Sequence, residues 1–147
     1  MRWNDHQLVA DAMGAPDGVR MFDASGFVKK GTDSVGVARQ YGGSLGKVEH
    51  SQVGVFAAYA SCHGYALVDK RLFIPEQWFA EDYKTRRAKC QVPEDATWHT
   101  KPQWAAAMLQ AMAHEGLVLF KDVVADGVSG HSPAFLDAVD ACVGVTA

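Results

Sequence analysis

The chain has 147 residues, of which 48% are hydrophobic and 21% charged, and its net charge is −3. This length and composition fit one globular domain and exclude a disordered or collagen-like chain. No apolar run reaches the roughly 18 residues that a membrane helix requires, and the first residues lack the apolar core of a signal peptide. We therefore predict a cytoplasmic protein with no membrane partner.

The elements predicted for the first half of the chain follow from hydrophobic spacing and from turn residues. A helix is expected at 5–13, and a short strand at 19–23 is expected to end at Ser25-Gly26. The segment 29–46 contains five glycines and favours a loop or a strand-edge excursion. The apolar stretches 51–60 and 65–74 then predict two strands of an antiparallel hairpin.

The second half predicts alternating helices and strands. A short helix is expected within 82–89 and a longer one at 101–114, whose Trp104, Met108 and Met112 should pack on the sheet. A strand at 122–126, a helix from 133 and a further strand from 142 follow. Strands that follow helices imply parallel pairing through crossover connections. The order favours an α/β fold, an RNase H-like mixed sheet with flanking helices.

Other kinds of site are not supported by the sequence. The three cysteines, Cys62, Cys90 and Cys142, are far apart and form no CxxC pair, so neither a disulfide framework nor a zinc site is expected. The six histidines show no HxH or HExxH pattern. The glycine-rich segment 42–47 lacks the spacing of a phosphate loop. The basic run 84–89 (KTRRAK) has two equally supported interpretations, a solvated helix face and a DNA contact.

Two aspartates, Asp23 and Asp126, each follow a predicted strand and precede small residues. Ligands of open α/β sheets bind at the carboxyl ends of strands, so the two carboxylates would converge if their strands are neighbours. Such a pair favours Mg²⁺ or Mn²⁺, which prefer oxygen ligands. An aspartate in this position is also common as a turn residue or helix cap, and that reading stays open.

Several blocks of the chain resemble insertion-sequence transposases of the DDE superfamily, most of all the insertion-sequence 701-like branch. They occur in the order of that family and cover nearly the whole chain: 23–31 (DASGFVKKG), 34–41 (SVGVARQY), 46–49 (GKVE), 52–55 (QVGV), 69–78 (DKRLFIPEQW), 100–102 (TKP) and 124–126 (VAD).

The resemblance implies that residues 1–147 are part of an RNase H-like catalytic domain. It implies that Asp23 and Asp126 are the first two metal-binding, catalytic acids of a D-D-E triad, with Mg²⁺ or Mn²⁺ as cofactor. The DNA partner would be the element ends and the target, and self-association or pairing with an intact transposase is a further expectation. From charge and position we expect Lys29, Lys30, Arg39 and Gln40 near the DNA backbone.

The chain departs from the family pattern at three places. Ala24 follows the first acid where the family usually has another acid, and Ser129 stands where an aromatic residue is common. The third acid is expected beyond Ala147, so the domain should be incomplete at its C-terminus and inactive alone. We then expect an exposed sheet edge or apolar face near 142–145. The alternative is a non-catalytic regulatory module that binds DNA or a transposase.

Overall fold

The computed structural model describes residues 3–42 and 46–146, which form a mixed α/β protein. Its helices are α1 (Trp3–Met13), α2 (Lys84–Lys89), α3 (Lys101–Glu115), α4 (Gly127–Gly130) and α5 (Pro133–Thr146), with 3-10 helices at Glu76–Phe79 and Glu81–Tyr83. Its strands are β1 (Val19–Val28), β2 (Ala38–Gly42), β3 (Lys47–Ser61), β4 (Gly64–Phe73) and β5 (Asp122–Ala125). No helix within these ranges is long and apolar enough to cross a bilayer.

The five strands form one mixed sheet in the order β2-β3-β1-β5, and β4 also pairs with β3. β1 and β5 run parallel, with Cα partners from Val19↔Asp122 to Phe22↔Ala125. β2 and β3 run antiparallel, from Ala38↔Ser51 to Gly42↔Lys47. A mixed sheet with helices around it confirms the RNase H-like α/β fold expected from the order of the elements.

The chain divides into two compact units. The first consists of Met1–Asp23, Val55–Arg71 and Lys101–Ala147. Its core includes the face of α3 with Ala105, Met108, Leu109 and Met112, all buried. Their spacing of three and four residues places them on one side of a helix. Helix α3 packs on α5.

Helix α5 also covers β1 in this first unit. The rings of Phe22 and Phe135 meet edge to face, with their centroids 5.6 Å apart. Edge-to-face packing suits aromatic rings because the positive ring edge meets the negative face. Phe22 and Phe135 are both buried, so this contact fixes the side of β1 that turns towards the helix.

The second unit consists of Ala24–Gly54 and Leu72–Thr100. Trp78 is its largest buried side chain, and the indole Nε1 donates a hydrogen bond to the Val37 carbonyl at 2.9 Å. Gly36 has a φ of +79°, and an added Cβ there would meet the Phe73 carbonyl at 2.6 Å. Only glycine adopts this backbone conformation at no steric cost and leaves room for the neighbouring strand.

Two predicted strands were too short, and one strand lies in a segment that was predicted as a loop or a strand-edge excursion. β1 does not end at Ser25-Gly26 but continues to Val28, and beyond it Lys29 N–H still donates to the His50 carbonyl at 3.0 Å. β3 begins at Lys47, four residues before the predicted start. The glycine-rich segment contains β2, which pairs with β3, although residues 43–45 lie outside the described residues. Pairing with a neighbour overrides the weak strand propensity of glycine here.

The prediction of a strand from Cys142 was wrong, because α5 continues to Thr146. Phe135, Ala138 and Cys142 are buried at helical spacing, and this periodicity continues the helix. Cys142 is therefore not part of an exposed apolar face, while the side chains from Val143 onward lie outside the described ones. In α3, Met108 and Met112 are buried as predicted, but Trp104 is only half-buried.

Candidate active site

The register of β1 and β5 brings the two predicted acids to corresponding positions. Phe22 pairs with Ala125, and Asp23 and Asp126 are the next residue on each chain. Residues paired across parallel strands point to the same side, and successive residues alternate. Because Phe22 faces α5, the alternation turns Asp23 towards the opposite side of the sheet. Both aspartates are exposed.

Asp126 also begins the short helix α4. Its backbone is extended, with φ −66° and ψ 168°, and its Oδ1 accepts a hydrogen bond from the Ser129 N–H at 3.0 Å. This is N-capping, in which a side-chain oxygen satisfies a backbone donor of the first turn. The cap reading that the sequence left open is therefore correct for Asp126. A carboxylate has a second oxygen, so capping is compatible with binding a cation.

A lysine that the sequence reasoning did not assign lies near Asp126. Lys101 is the first residue of α3, which contacts α4 in the same unit. Partial burial lowers the pKa of Lys101, and the negative charge of Asp126 opposes that shift. The sequence did point to this position in one way, because Thr100-Lys101-Pro102 is one of the blocks that resemble the transposase family. The charge of Lys101 therefore interacts favourably with that of the second acid.

A family model described as DDE superfamily endonuclease matches residues 6–145. The chain belongs to the DDE superfamily endonucleases. Searches of curated proteins and of solved structures found no match. Membership of this superfamily implies a nuclease-like domain that acts on DNA, and its nucleases generally use divalent metal ions.

The two acids of this DDE domain fit a divalent cation as a partial donor set. Carboxylate oxygens are the ligands that Mg²⁺ prefers, and exposed acids leave room for the waters that this ion retains. Among the described residues, no group of three or more acidic, histidine or cysteine side chains could hold a metal ion. A metal site built on Asp23 and Asp126 would therefore have, within these residues, no third side chain of these types.

The four residues predicted to lie near DNA belong to the second unit. Lys30 and Arg39 are exposed and Lys29 is half-buried, so charged groups are available at the surface there. Gln40 is different, because its Nε2 donates to the Ser51 carbonyl at 2.8 Å and to the Gly36 carbonyl at 3.3 Å. These bonds give its amide a structural role within the unit.

The second basic run, on α2, is largely engaged within its own unit. Arg87 donates to the carbonyls of Trp78 and Ala80, at 2.6 and 2.8 Å. The Arg86 guanidinium lies 4.8 Å from the centre of the Tyr83 ring. Lys89 pairs with Asp33 at 2.8 Å, which lowers the pKa of the Asp33 carboxyl. These contacts favour the structural reading of the run over the DNA reading.

Proposed function

We propose that this chain is the part of an insertion-sequence transposase, of the 701-like branch, that carries the first two acids of a D-D-E site. Asp23 and Asp126 would hold Mg²⁺ or Mn²⁺ for DNA strand cleavage and transfer. The observation that supports this most is the parallel register of β1 and β5, in which the acids follow Phe22 and Ala125. A carboxylate separation within roughly 8 Å, short enough to share a metal site, stays a prediction.

The proposed chemistry divides between the metal and the chain. Divalent ions supply activation of the attacking hydroxyl and stabilisation of the leaving oxygen. Asp23 and Asp126 would contribute the negative charge that attracts the cations to the carboxyl ends of β1 and β5. Lys101 would balance the charge of Asp126 before a cation binds. The cap that Asp126 forms with Ser129 fixes the orientation of its carboxylate.

We further propose that residues 1–147 are inactive on their own, and that a third carboxylate comes from outside this stretch. Catalytic groups that act as a unit lose most of their rate when one is missing. Residues 1–147 should therefore bind a divalent cation weakly and show no strand cleavage. Addition of a transposase that supplies the third acid would be needed for activity, and this pairing is the self-association that we expect.

The test is a calorimetric titration of Mn²⁺ into the wild type and three variants. Asp23→Asn and Asp126→Asn should each abolish the metal-linked heat, because each removes a charged ligand and keeps the size of the side chain. Asp122→Asn is the matched control, since Asp122 is an exposed acid at the other end of β5. Equal loss of heat in the control, or no heat in the wild type, would remove the metal site from this proposal.

DNA binding separates the proposal from its alternative, a non-catalytic regulatory module that binds DNA or a transposase. Binding of a labelled DNA duplex is measured in the presence of Mn²⁺ and in the presence of a chelator. Metal-dependent binding that Asp23→Asn abolishes supports the catalytic ancestry of the site. Binding that is unchanged by the chelator and by Asp23→Asn, together with no metal-linked heat, supports the regulatory module instead.

A further inference from the structure

The antiparallel pairing of β2 and β3 creates one exposed face in the second unit. Arg39 pairs with His50 and Tyr41 pairs with Val48. Residues directly opposite each other in an antiparallel pair share a face of the sheet, and residues two apart along a strand do so as well. These four residues therefore lie together, and we refer to them as the hairpin face.

The other side of the same two strands is inward. Ala38, Gly42 and Ser51 alternate with the hairpin face along β2 and β3, and all three are buried. The alternation of buried and exposed positions is that of a sheet with one packed side. The hairpin face is thus the outer surface of the second unit at these strands.

The hairpin face exposes an aromatic and an aliphatic side chain next to each other. Tyr41 is 59% exposed and its cross-strand partner Val48 is 50% exposed. A single exposed apolar residue is ordinary, but a paired aromatic and β-branched residue make a flat apolar platform. Another planar group can stack on the exposed aromatic ring of such a platform.

One basic side chain lies on the same face as this platform, and the backbone of a second basic residue runs beside it. Arg39 lies two residues from Tyr41 on the same face, and its side chain is exposed. The backbone of Lys29 lies beside His50, because Lys29 N–H donates to the His50 carbonyl at 3.0 Å. Glu49, on the other side of β3, is partly exposed to solvent and pairs with Lys47 at 2.9 Å, and its carboxylate also interacts with the charge of Arg39, so one acid stands against two basic side chains there. The surface therefore combines an aromatic ring with positive charge.

We infer that the hairpin face binds unpaired DNA, with a base stacked on Tyr41 and a phosphate at Arg39. This inference rests on the DNA substrate of the proposed function and names a surface for it. Stacking on an aromatic side chain needs a base whose flat side is free, which a single strand provides and an intact duplex does not. The positive charge favours the phosphate backbone over an acidic or purely apolar partner.

The two residues should contribute in different ways. A stacked ring contributes affinity that depends little on salt, because no counterion is released from the DNA when the ring stacks. A guanidinium on a phosphate releases about one counterion, so its removal lowers the salt dependence of binding. This difference distinguishes a stacking residue from a general loss of binding.

The test measures fluorescence anisotropy of a labelled single-stranded oligonucleotide and of the matching duplex, with a chelator present throughout. Tyr41→Ala should weaken single-strand binding about tenfold, while Tyr41→Phe keeps the stacking ring and the affinity. The salt slope of Tyr41→Ala should equal that of the wild type. Arg39→Gln should lower the slope by about one.

Tyr65→Ala is the matched control, because Tyr65 is 85% exposed on β4 and belongs to the other unit. It should leave binding unchanged. The inference is overturned if Tyr41→Ala binds as the wild type does, if Tyr65→Ala weakens binding equally, or if duplex binding falls as much as single-strand binding.

The result is separable from the test of the metal site. Because the chelator removes divalent ions, an effect of Tyr41→Ala does not depend on Asp23 or Asp126. Tyr41→Ala should also keep the metal-linked heat of the wild type. Metal binding without an effect of Tyr41→Ala overturns the hairpin face alone, and an effect of Tyr41→Ala without metal-linked heat overturns the metal site alone.

Discussion

Asp126 accepts a hydrogen bond on its Oδ1 from the backbone N–H of Ser129 at 3.0 Å, and by this bond the end of β5 is joined to the start of α4. The same residue is the proposed second metal ligand. The two roles draw on different properties, since a cap needs an oxygen acceptor and a metal ligand needs negative charge. Substitutions can therefore separate them.

Asp126→Asn should keep the stability of the protein and lose the metal site. Asparagine caps a helix about as well as aspartate, because its amide oxygen accepts the same hydrogen bond. Asp126→Ala should lose both functions and lower the free energy of unfolding by roughly 0.5–2 kcal/mol. Urea denaturation of the three proteins measures the difference. Equal destabilisation by asparagine and alanine would contradict a capping role.

Tyr59→Phe should destabilise the first unit by about 1–3 kcal/mol, because it removes a buried hydroxyl and leaves its partners unsatisfied. Tyr59 is fully buried, and its hydroxyl accepts from Ala15 N–H at 3.0 Å and donates to the Leu119 carbonyl at 2.8 Å. The measurement is the free energy of unfolding in urea.

Tyr65→Phe is the control for that measurement, since this tyrosine is 85% exposed. Loss of an exposed hydroxyl should change the stability by less than about 0.5 kcal/mol. Gly18→Ala should act in the same direction as Tyr59→Phe, because an added Cβ at Gly18 would overlap the Tyr59 ring. A neutral Gly18→Ala would mean that the ring can move away from the strand.

Hydrophobic spacing predicted the elements that depend on burial alone. The helix at 101–114 and the strand at 122–126 were found within one residue of the predicted bounds, because Met108, Leu109 and Met112 have a clear helical period. β2 was missed since its sequence, ARQYG, alternates only weakly and its pairing with β3 determines it. Local sequence does not contain that long-range pairing.

In the candidate site, too, local sequence predicted some features, and others depend on long-range packing. Asp23 and Asp126 were predicted as metal ligands from their positions after strands, and the parallel pairing of those strands is the neighbouring arrangement that this prediction requires. Lys101 was not assigned a role, because its approach to Asp126 depends on how α3 packs against α4. Gln40 was predicted to lie near DNA. Its amide donates to the carbonyls of Gly36 and Ser51, and the sequence alone does not predict these hydrogen bonds because the pairing of β2 with β3 creates the second one.

His6 and Glu115 should be strongly coupled in stability. His6 Nδ1 lies 2.7 Å from Glu115 Oε2 and Nε2 lies 2.6 Å from the Val68 carbonyl, so this ring links α1 to α3 and β4. A double-mutant cycle with His6→Ala and Glu115→Ala should give a coupling energy of about 1–3 kcal/mol. Hydrogen exchange should show that α1 loses protection in both single variants.

The control for that cycle lies on the same helix. Gln7 Nε2 donates to Asp11 Oδ1 at 2.9 Å on the exposed side of α1. An exposed pair at this spacing contributes only about 0.2–0.5 kcal/mol, so Gln7→Ala should leave α1 protected. If Gln7→Ala and His6→Ala reduce the protection of α1 equally, the helix is held by its own propensity and not by His6.

Cys142 should make the protein less stable as the pH rises above about 9. Burial raises the pKa of the Cys142 thiol above its ordinary value of 9.0, and the positive charge of Arg20 opposes that shift only in part. In the unfolded chain the thiol ionises near 9.0, whereas the folded protein still holds the proton. The unfolded state then binds fewer protons, so the free energy of unfolding falls as the pH increases.

The measurement compares urea midpoints of the wild type and Cys142→Ala at pH 8 and pH 10. Other groups also titrate in this range, including Arg20, whose pKa burial lowers to about 10. The effect of Cys142 is therefore the difference between the two proteins in the stability that each loses from pH 8 to pH 10. The wild type should lose more stability than Cys142→Ala over this interval. Thiol labelling at pH 8 should modify the exposed Cys62 quickly and the buried Cys142 only on unfolding. Rapid labelling of Cys142 in the folded protein would contradict its place in the core.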